Sequence, residues 1–113
     1  KVDNLIAICD RNNQQIDGSL DDVLNIGDLG RKYAEFGWEV LRTDGNDMAE
    51  LVATLEKAKA MTGNGKPIFI DMKTEMGKGV DYMEGTHKWH GKAPDAELTA
   101  KALAQLEETL GDY

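Results

Sequence analysis

Two stretches of this sequence concentrate side chains able to do chemistry. The first reads Asp10-Arg11-Asn12-Asn13-Gln14-Gln15-Ile16-Asp17-Gly18. Asparagine side chains and backbone carbonyls are hard oxygen donors, suited to a magnesium ion that also holds phosphates. The same residue types suit any turn that follows a strand, and read alone the turn is the better account. The second stretch runs Lys73-Thr74-Glu75-Met76-Gly77-Lys78-Gly79 and resumes at Gly85-Thr86-His87-Lys88-Trp89-His90-Gly91-Lys92-Ala93-Pro94. Glycines at 77 and 79 let backbone approach a ligand closely, and a histidine can bind phosphate or shuttle a proton. A flexible surface loop with exposed histidines would read the same way. His87 and His90 are spaced like half a zinc site, but no third ligand lies near them in the sequence.

Other candidates carry less. Gly63-Asn64-Gly65-Lys66 follows a helical stretch and lacks the Gly-x-x-x-x-Gly-Lys-Ser/Thr spacing of a phosphate loop. Cys9 lies in an apolar run, where a thiol is inert packing. Trp38 reads as core. No pair among the many acidic residues has the context of a glycosidase acid and base.

The elements that must position these loops alternate along the chain. Asn4 to Cys9 is apolar without alternation, as a strand buried on both faces would be, and Arg11 to Gly18 reads as a loop. Leu29 to Phe36 has helical spacing, stopped by Gly37. Trp38 to Thr43 is a second strand. Asp47 can cap the next helix, with Glu50 completing a capping-box-like pair, and Met48, Leu51, Val52, Leu55 and Ala58 share its apolar face. Gly63-Asn64-Gly65 stops it, and Pro67 opens a third strand, Ile68 to Met72. After a long loop from Lys73 to Pro94, Asp95 can cap a last helix carrying Leu98, Ala102, Leu103, Leu106 and Leu110. Such an order predicts an α/β fold with parallel strands and helices on the sheet faces. Ligands in these sheets sit beyond the carboxyl ends of the strands, where both polar loops, 10–28 and 73–94, are expected.

With 113 residues the chain suits one domain, and a compact one would bury about two-thirds of its unfolded surface. Apolar residues are 41% and charged ones 30%, the balance of a soluble globular chain. The longest apolar run, Leu5 to Cys9, is far too short to span a bilayer. Nothing near Lys1 has the pattern of a signal peptide, and an opening Lys-Val-Asp reads as processed or cut from something longer. The single cysteine excludes an internal disulfide and fits a reducing compartment such as the cytoplasm. A net charge of −8 argues against sequence-neutral nucleic-acid binding and reads as a solvated surface. Transmembrane, knottin and zinc-ribbon classes are set aside.

Taken together, the stretches resemble the thiamine diphosphate-binding domain of transketolases. Asp10-x-Asn12 followed by Ile16-Asp17-Gly18, after Leu5-Ile6-Ala7-Ile8, is similar to the second half of that family's cofactor motif. The likeness continues through Tyr33-Ala34-x-Phe36-Gly37-Trp38-x-Val40 and Asp44-Gly45-x-Asp47. It extends through Lys73-Thr74-x-x-Gly77-x-Gly79 to Trp89-His90-Gly91-Lys92-Ala93-Pro94, in matching order and spacing over nearly the whole chain. The last motif is most similar to split-gene amino-terminal subunits and to animal-type enzymes.

The resemblance implies a three-layer parallel-sheet fragment of the thiamine diphosphate-binding fold. It implies transfer of a two-carbon ketol unit between sugar phosphates, with thiamine diphosphate and magnesium as cofactors. Asn12 matches the asparagine whose side-chain oxygen binds magnesium, and Gln14 the position whose backbone carbonyl is another metal ligand. Met76 falls beside the cofactor, where relatives often carry isoleucine or lysine. His90 matches a histidine that contacts the diphosphate and lies where proton transfer is needed. No Gly-Asp-Gly occurs, and Gly27-Asp28-Leu29 fails at its third position. Residues 1–113 are therefore expected to form a partial domain without its upstream Gly-Asp-Gly half and without the pyrimidine-binding domain or subunit, inactive alone. Two alternatives stay open. One is a non-catalytic, self-associating unit, because the apolar first strand would form an open edge. The other is part of a deoxyxylulose-phosphate synthase-like enzyme, which shares the cofactor fold. The expected partners are the missing domain half, the pyrimidine-binding domain or subunit, and a second copy in a homo-oligomer. Neither nucleic acid nor membrane is expected.

Overall fold

A computed structural model describes residues 2–107. Along the chain, β1 (Ile6–Arg11) leads into a small antiparallel hairpin, β2 (Gln14–Gln15) and β3 (Gly18–Ser19), and a single turn of helix, α1 (Leu20–Val23). Then follow α2 (Leu29–Glu35), β4 (Glu39–Asp44), α3 (Met48–Met61), β5 (Ile68–Lys73), a 3-10 turn at His87–Trp89 and α4 (Ala96–Leu103). The principal sheet is parallel, in the order β1-β5-β4.

Successive residues of β5 point to opposite faces, and each face finds its own cover. Ile68 and Ile70 are fully buried beside Leu41 of β4 and Ala58 of α3, with Ile6, Leu55, Met61 and Met72 packed around them. On the other face Phe69 stacks on Tyr33 of α2, ring centroids 3.6 Å apart, and Trp38 meets Tyr33 edge-on at 5.2 Å. Helix, sheet and helix make the three layers that the element order predicts.

The sheet bears out the open edge expected of the first strand and corrects only its expected burial on both faces. β1 is an edge strand, and its Ile8 is 48% exposed. Only β5, flanked on both sides and covered above and below, is buried as its apolar run suggests. β1 also runs on through Asp10 and Arg11, because its pairing with β5 continues as far as Lys73 whatever the polarity of the side chains. The loop after it holds β2, β3 and α1, which no hydrophobic period announces. Trp38 is only partly buried, and it precedes β4 rather than opening it.

Caps behave as expected. The side chains of Asp47 and Asp95 accept the N–H groups of Glu50 and Leu98 at the starts of α3 and α4. The capping box does not close, because the Glu50 carboxylate accepts the Asp44 N–H instead, at 2.9 Å. α4 docks through the Tyr82 hydroxyl, which donates to the Leu98 carbonyl at 2.7 Å, while the Trp89 indole N–H donates to the Tyr82 carbonyl at 2.8 Å. Leu103 and Leu106 of the expected apolar face remain exposed, and Leu110 lies outside the described residues. No described helix is long and apolar enough to cross a membrane.

The core is thinner than chain length suggests. The accessible surface is 8057 Å², against about 6,100 Å² for a compact domain of this mass. One sheet with a single helix on much of each face leaves many apolar side chains at the surface.

Candidate functional site

The register aligns the last residues of the three strands, Arg11 beside Lys73 and Lys73 beside Asp44. The chain leaves the sheet at one edge in three places, and the departing loops surround an open cleft of about 360 Å³. Its walls come from the 11–14 segment after β1, from Asp44 and Asn46 after β4, and from Lys73 to Glu75, Lys78 and Gly85 after β5.

The first wall is a tight turn. Asn13 has φ of 60°, a left-handed conformation that asparagine tolerates better than most side chains. The Asn12 side-chain oxygen accepts the Gln14 N–H at 2.9 Å, and the Asn13 carbonyl accepts the Leu20 N–H at 2.9 Å. The Gln14 side-chain amide donates to the Gly85 carbonyl at 3.3 Å, which ties the two functional loops together. Behind them the Thr74 hydroxyl donates to the Asp10 carboxylate, and the Thr74 N–H to the Arg11 carbonyl at 3.2 Å. Asn46 accepts the Glu75 N–H at 2.8 Å, joining the β4 and β5 loops.

The charges of the cleft are mixed. Lys78 sits 2.7 Å from a Glu84 oxygen and 3.1 Å from a Glu75 oxygen. Its ammonium is held above the ordinary lysine range, first by the hydrogen bond to Glu84 and then by that to Glu75. Glu84 is correspondingly held below the usual carboxylate range by Lys78. Arg11 donates to the buried Asp71 at 2.7 Å.

Of the residues singled out in the sequence, the structure brings Asn12 and Gln14 together in one turn on the cleft. Met76 lies one step behind the wall, partly buried, its carbonyl accepting the Gly85 N–H at 2.9 Å. His90 does not reach the cleft. It is exposed just after the 3-10 turn, its N–H bonded to the His87 carbonyl at 3.0 Å. Gly77 answers to packing rather than to a ligand, because a Cβ there, at φ +72°, would run into the backbone of Met83. Cys9 is partly buried on the edge strand, and burial, then the charge of Asp71, pushes its thiol up.

Sequence reasoning missed Asn46, Glu75 and Arg11 as cleft residues. A usable signal was present, since each lies at or just beyond the end of a strand. Among the described residues no group of three His, Cys, Asp or Glu side chains gathers for a metal. What the cleft does offer is amide and carbonyl oxygen beside cationic side chains, a donor set that suits a hard cation carrying an anion.

The family described as transketolase, thiamine diphosphate binding domain, matches residues 1–112. The chain is 37% identical over 110 residues to an apulose-4-phosphate transketolase subunit from Phocaeicola vulgatus, covering 97% of this chain and 38% of that protein. It is 36% identical to a 6-deoxy-6-sulfo-D-fructose transketolase subunit from a Clostridium species, covering 96% of this chain and again 38% of the relative. Among solved structures, Campylobacter jejuni transketolase superposes with a TM-score of 0.78 at 38% identity, over 91% of this chain and 16% of that one. The chain thus spans little more than a third of the curated subunits it matches.

Proposed function

The chain belongs to the transketolase family, within its thiamine diphosphate-binding domain, and we propose from that premise that it serves an enzyme moving a two-carbon ketol unit between sugar phosphates. The observation that carries this reading is the pairing of Asn12 and Gln14 in one turn on the carboxyl-edge cleft. The Asn12 side-chain oxygen and the Gln14 backbone carbonyl would hold magnesium, and the magnesium would hold the diphosphate. Both are hard, neutral donors, and Arg11, Lys73 and Lys78 line the same cleft, so the residues present fit one side of such a group. When bound, the cofactor supplies the carbanion chemistry, and this chain positions it. Met76 is assigned an apolar contact beside the cofactor. His90 is assigned the diphosphate contact and a proton-transfer role on family resemblance, and it would have to approach the cleft in the assembled enzyme.

Several relatives are named as one subunit of a transketolase, which supports a partner that carries the pyrimidine-binding domain. On their names, the proposed substrates are ketose phosphates or related modified ketoses. Residues 1–113 alone supply only some of the groups that surround the cofactor, and ketol transfer by them unaided is not expected. A cytoplasmic location suits the lone Cys9.

The test is a calorimetric titration with thiamine diphosphate, with and without magnesium. Magnesium-dependent heat that disappears in Asn12→Ala is the expected result. No heat at millimolar cofactor would overturn the binding role.

A further inference from the structure

One buried ion pair lies directly beneath the turn that carries Asn12 and Gln14. Asp71 stands on the central strand, two residues before its end, and its side chain is 3% exposed. A buried carboxylate needs a close partner, and Arg11 provides it, Nε to Oδ1 at 2.7 Å. Arg42 comes no nearer than 4.0 Å to the other oxygen and is itself bound to Asp28 at 2.6 Å. Arg11 is therefore the close anchor.

The guanidinium is a rigid fork. With Nε on Asp71, its Nη1 donates to the side-chain oxygen of Asn13 at 3.3 Å. Asn13 is the one described non-glycine residue with positive φ, the point at which the turn reverses. Its conformation sets where the Asn12 side chain and the Gln14 backbone point. A chain of contacts thus runs from the centre of the sheet, through Arg11, to the strained residue of the turn.

We propose that Asp71, acting through Arg11, is a positioning residue that holds the 12–14 turn in its metal-binding shape. The inference rests on reading that turn as the magnesium site. A pair that merely neutralised a buried charge would need any cation at position 11. A positioning pair needs the fork, whose rigid plane fixes Asn13 relative to Asp71, whereas an ammonium on a flexible stem sets no angle between its contacts.

Arg11→Lys and Asp71→Asn in the full chain separate these roles, with Mn²⁺ plus thiamine diphosphate as the spectroscopic probe and amide hydrogen exchange measured without ligand. Arg11→Lys should leave the melting temperature nearly unchanged and speed exchange at the Gln14 and Leu20 amides. The β4 and β5 amides should stay protected. Mn²⁺ uptake should weaken about 10- to 100-fold, the usual effect of removing an outer support of a metal ligand. Asp71→Asn should do the same with a lower melting temperature. Unchanged exchange and uptake in Arg11→Lys, beside normal wild-type uptake, would overturn the positioning role alone. A wild-type chain that takes up no Mn²⁺ with the cofactor would sink the magnesium reading, and the role proposed for Asp71 with it.

Discussion

Arg42 and Asp28 show how the surface charges of this chain respond to pH. The Asp28 carboxyl is held below the usual aspartate range, first by the hydrogen bond from Arg42 and then by the Arg31 N–H. Because the folded pKa is the lower, the unfolded chain takes up the proton first on acidification. The pair's contribution is complete above the ordinary aspartate pKa, about 4, and is lost as pH falls through the depressed folded value. Both partners are well exposed, so the effect is small. Asp28→Asn should melt slightly below wild type at about pH 6, and the gap should narrow as the pH falls below about 4. A gap that widens in acid would reverse this assignment. Cys9 is the second residue with a legible chemistry. With its thiol pushed up by burial and by Asp71, less thiolate exists at neutral pH. Alkylation of the folded chain should run slower than that of a free thiol and speed up in denaturant. Equal rates would show that the edge strand gives the thiol no shelter.

At the scale of elements, caps and reversals carry local stability. Removing the α3 cap with Asp47→Ala leaves the Glu50 N–H without its partner. The expected loss is about 1 kcal/mol in denaturant unfolding. Two glycines offer a sharper contrast. Gly63 has φ of +85° with open space where a Cβ would lie, so alanine there should lose only about 1 kcal/mol for its left-handed backbone. Gly77 has a similar φ, but a Cβ would strike the Met83 backbone, so Gly77→Ala should be clearly the more destabilising. Comparable losses in the two variants would mean that the 77–85 loop moves aside at little cost.

The whole molecule is a slab, 52 × 40 × 17 Å, with a radius of gyration of 17.2 Å against about 13 Å for a compact chain of this length. The apolar surface left uncovered includes Leu5 and Ile8 at the open edge of the sheet and Phe36 at 85% exposure. An edge strand with unpaired backbone and apolar side chains favours pairing with another chain. Self-association in concentrated solution is expected, and Ile8→Lys should weaken it in sedimentation. A wild-type chain that stays monomeric at the highest concentrations would remove the basis for a homo-oligomer.

Much of this is legible in the amino-acid order alone, for a physical reason. Caps and helical faces depend on residues three or four apart, so Asp47, Asp95 and the packing of Leu55 and Ala58 can be read directly, although Met48 and Val52 of the same expected face stay exposed. The two polar loops can likewise be placed at the carboxyl edge, because parallel connections leave little choice. Sheet depth is different. Ile8 and Ile70 sit in equally apolar runs and are aligned with each other in the sheet, yet one is 48% exposed and the other fully buried. That difference follows from strand order, β5 in the centre and β1 at the edge, and long-range pairing leaves no mark in a local pattern. The same holds for the site. The family resemblance marked Asn12 and Gln14, but only the packed structure tied Gln14 to Gly85 and Arg11 to Asp71, and left His90 outside. Contacts between residues 60 or more positions apart are decided by how the layers pack, and the spacing of side chains along the chain does not contain them.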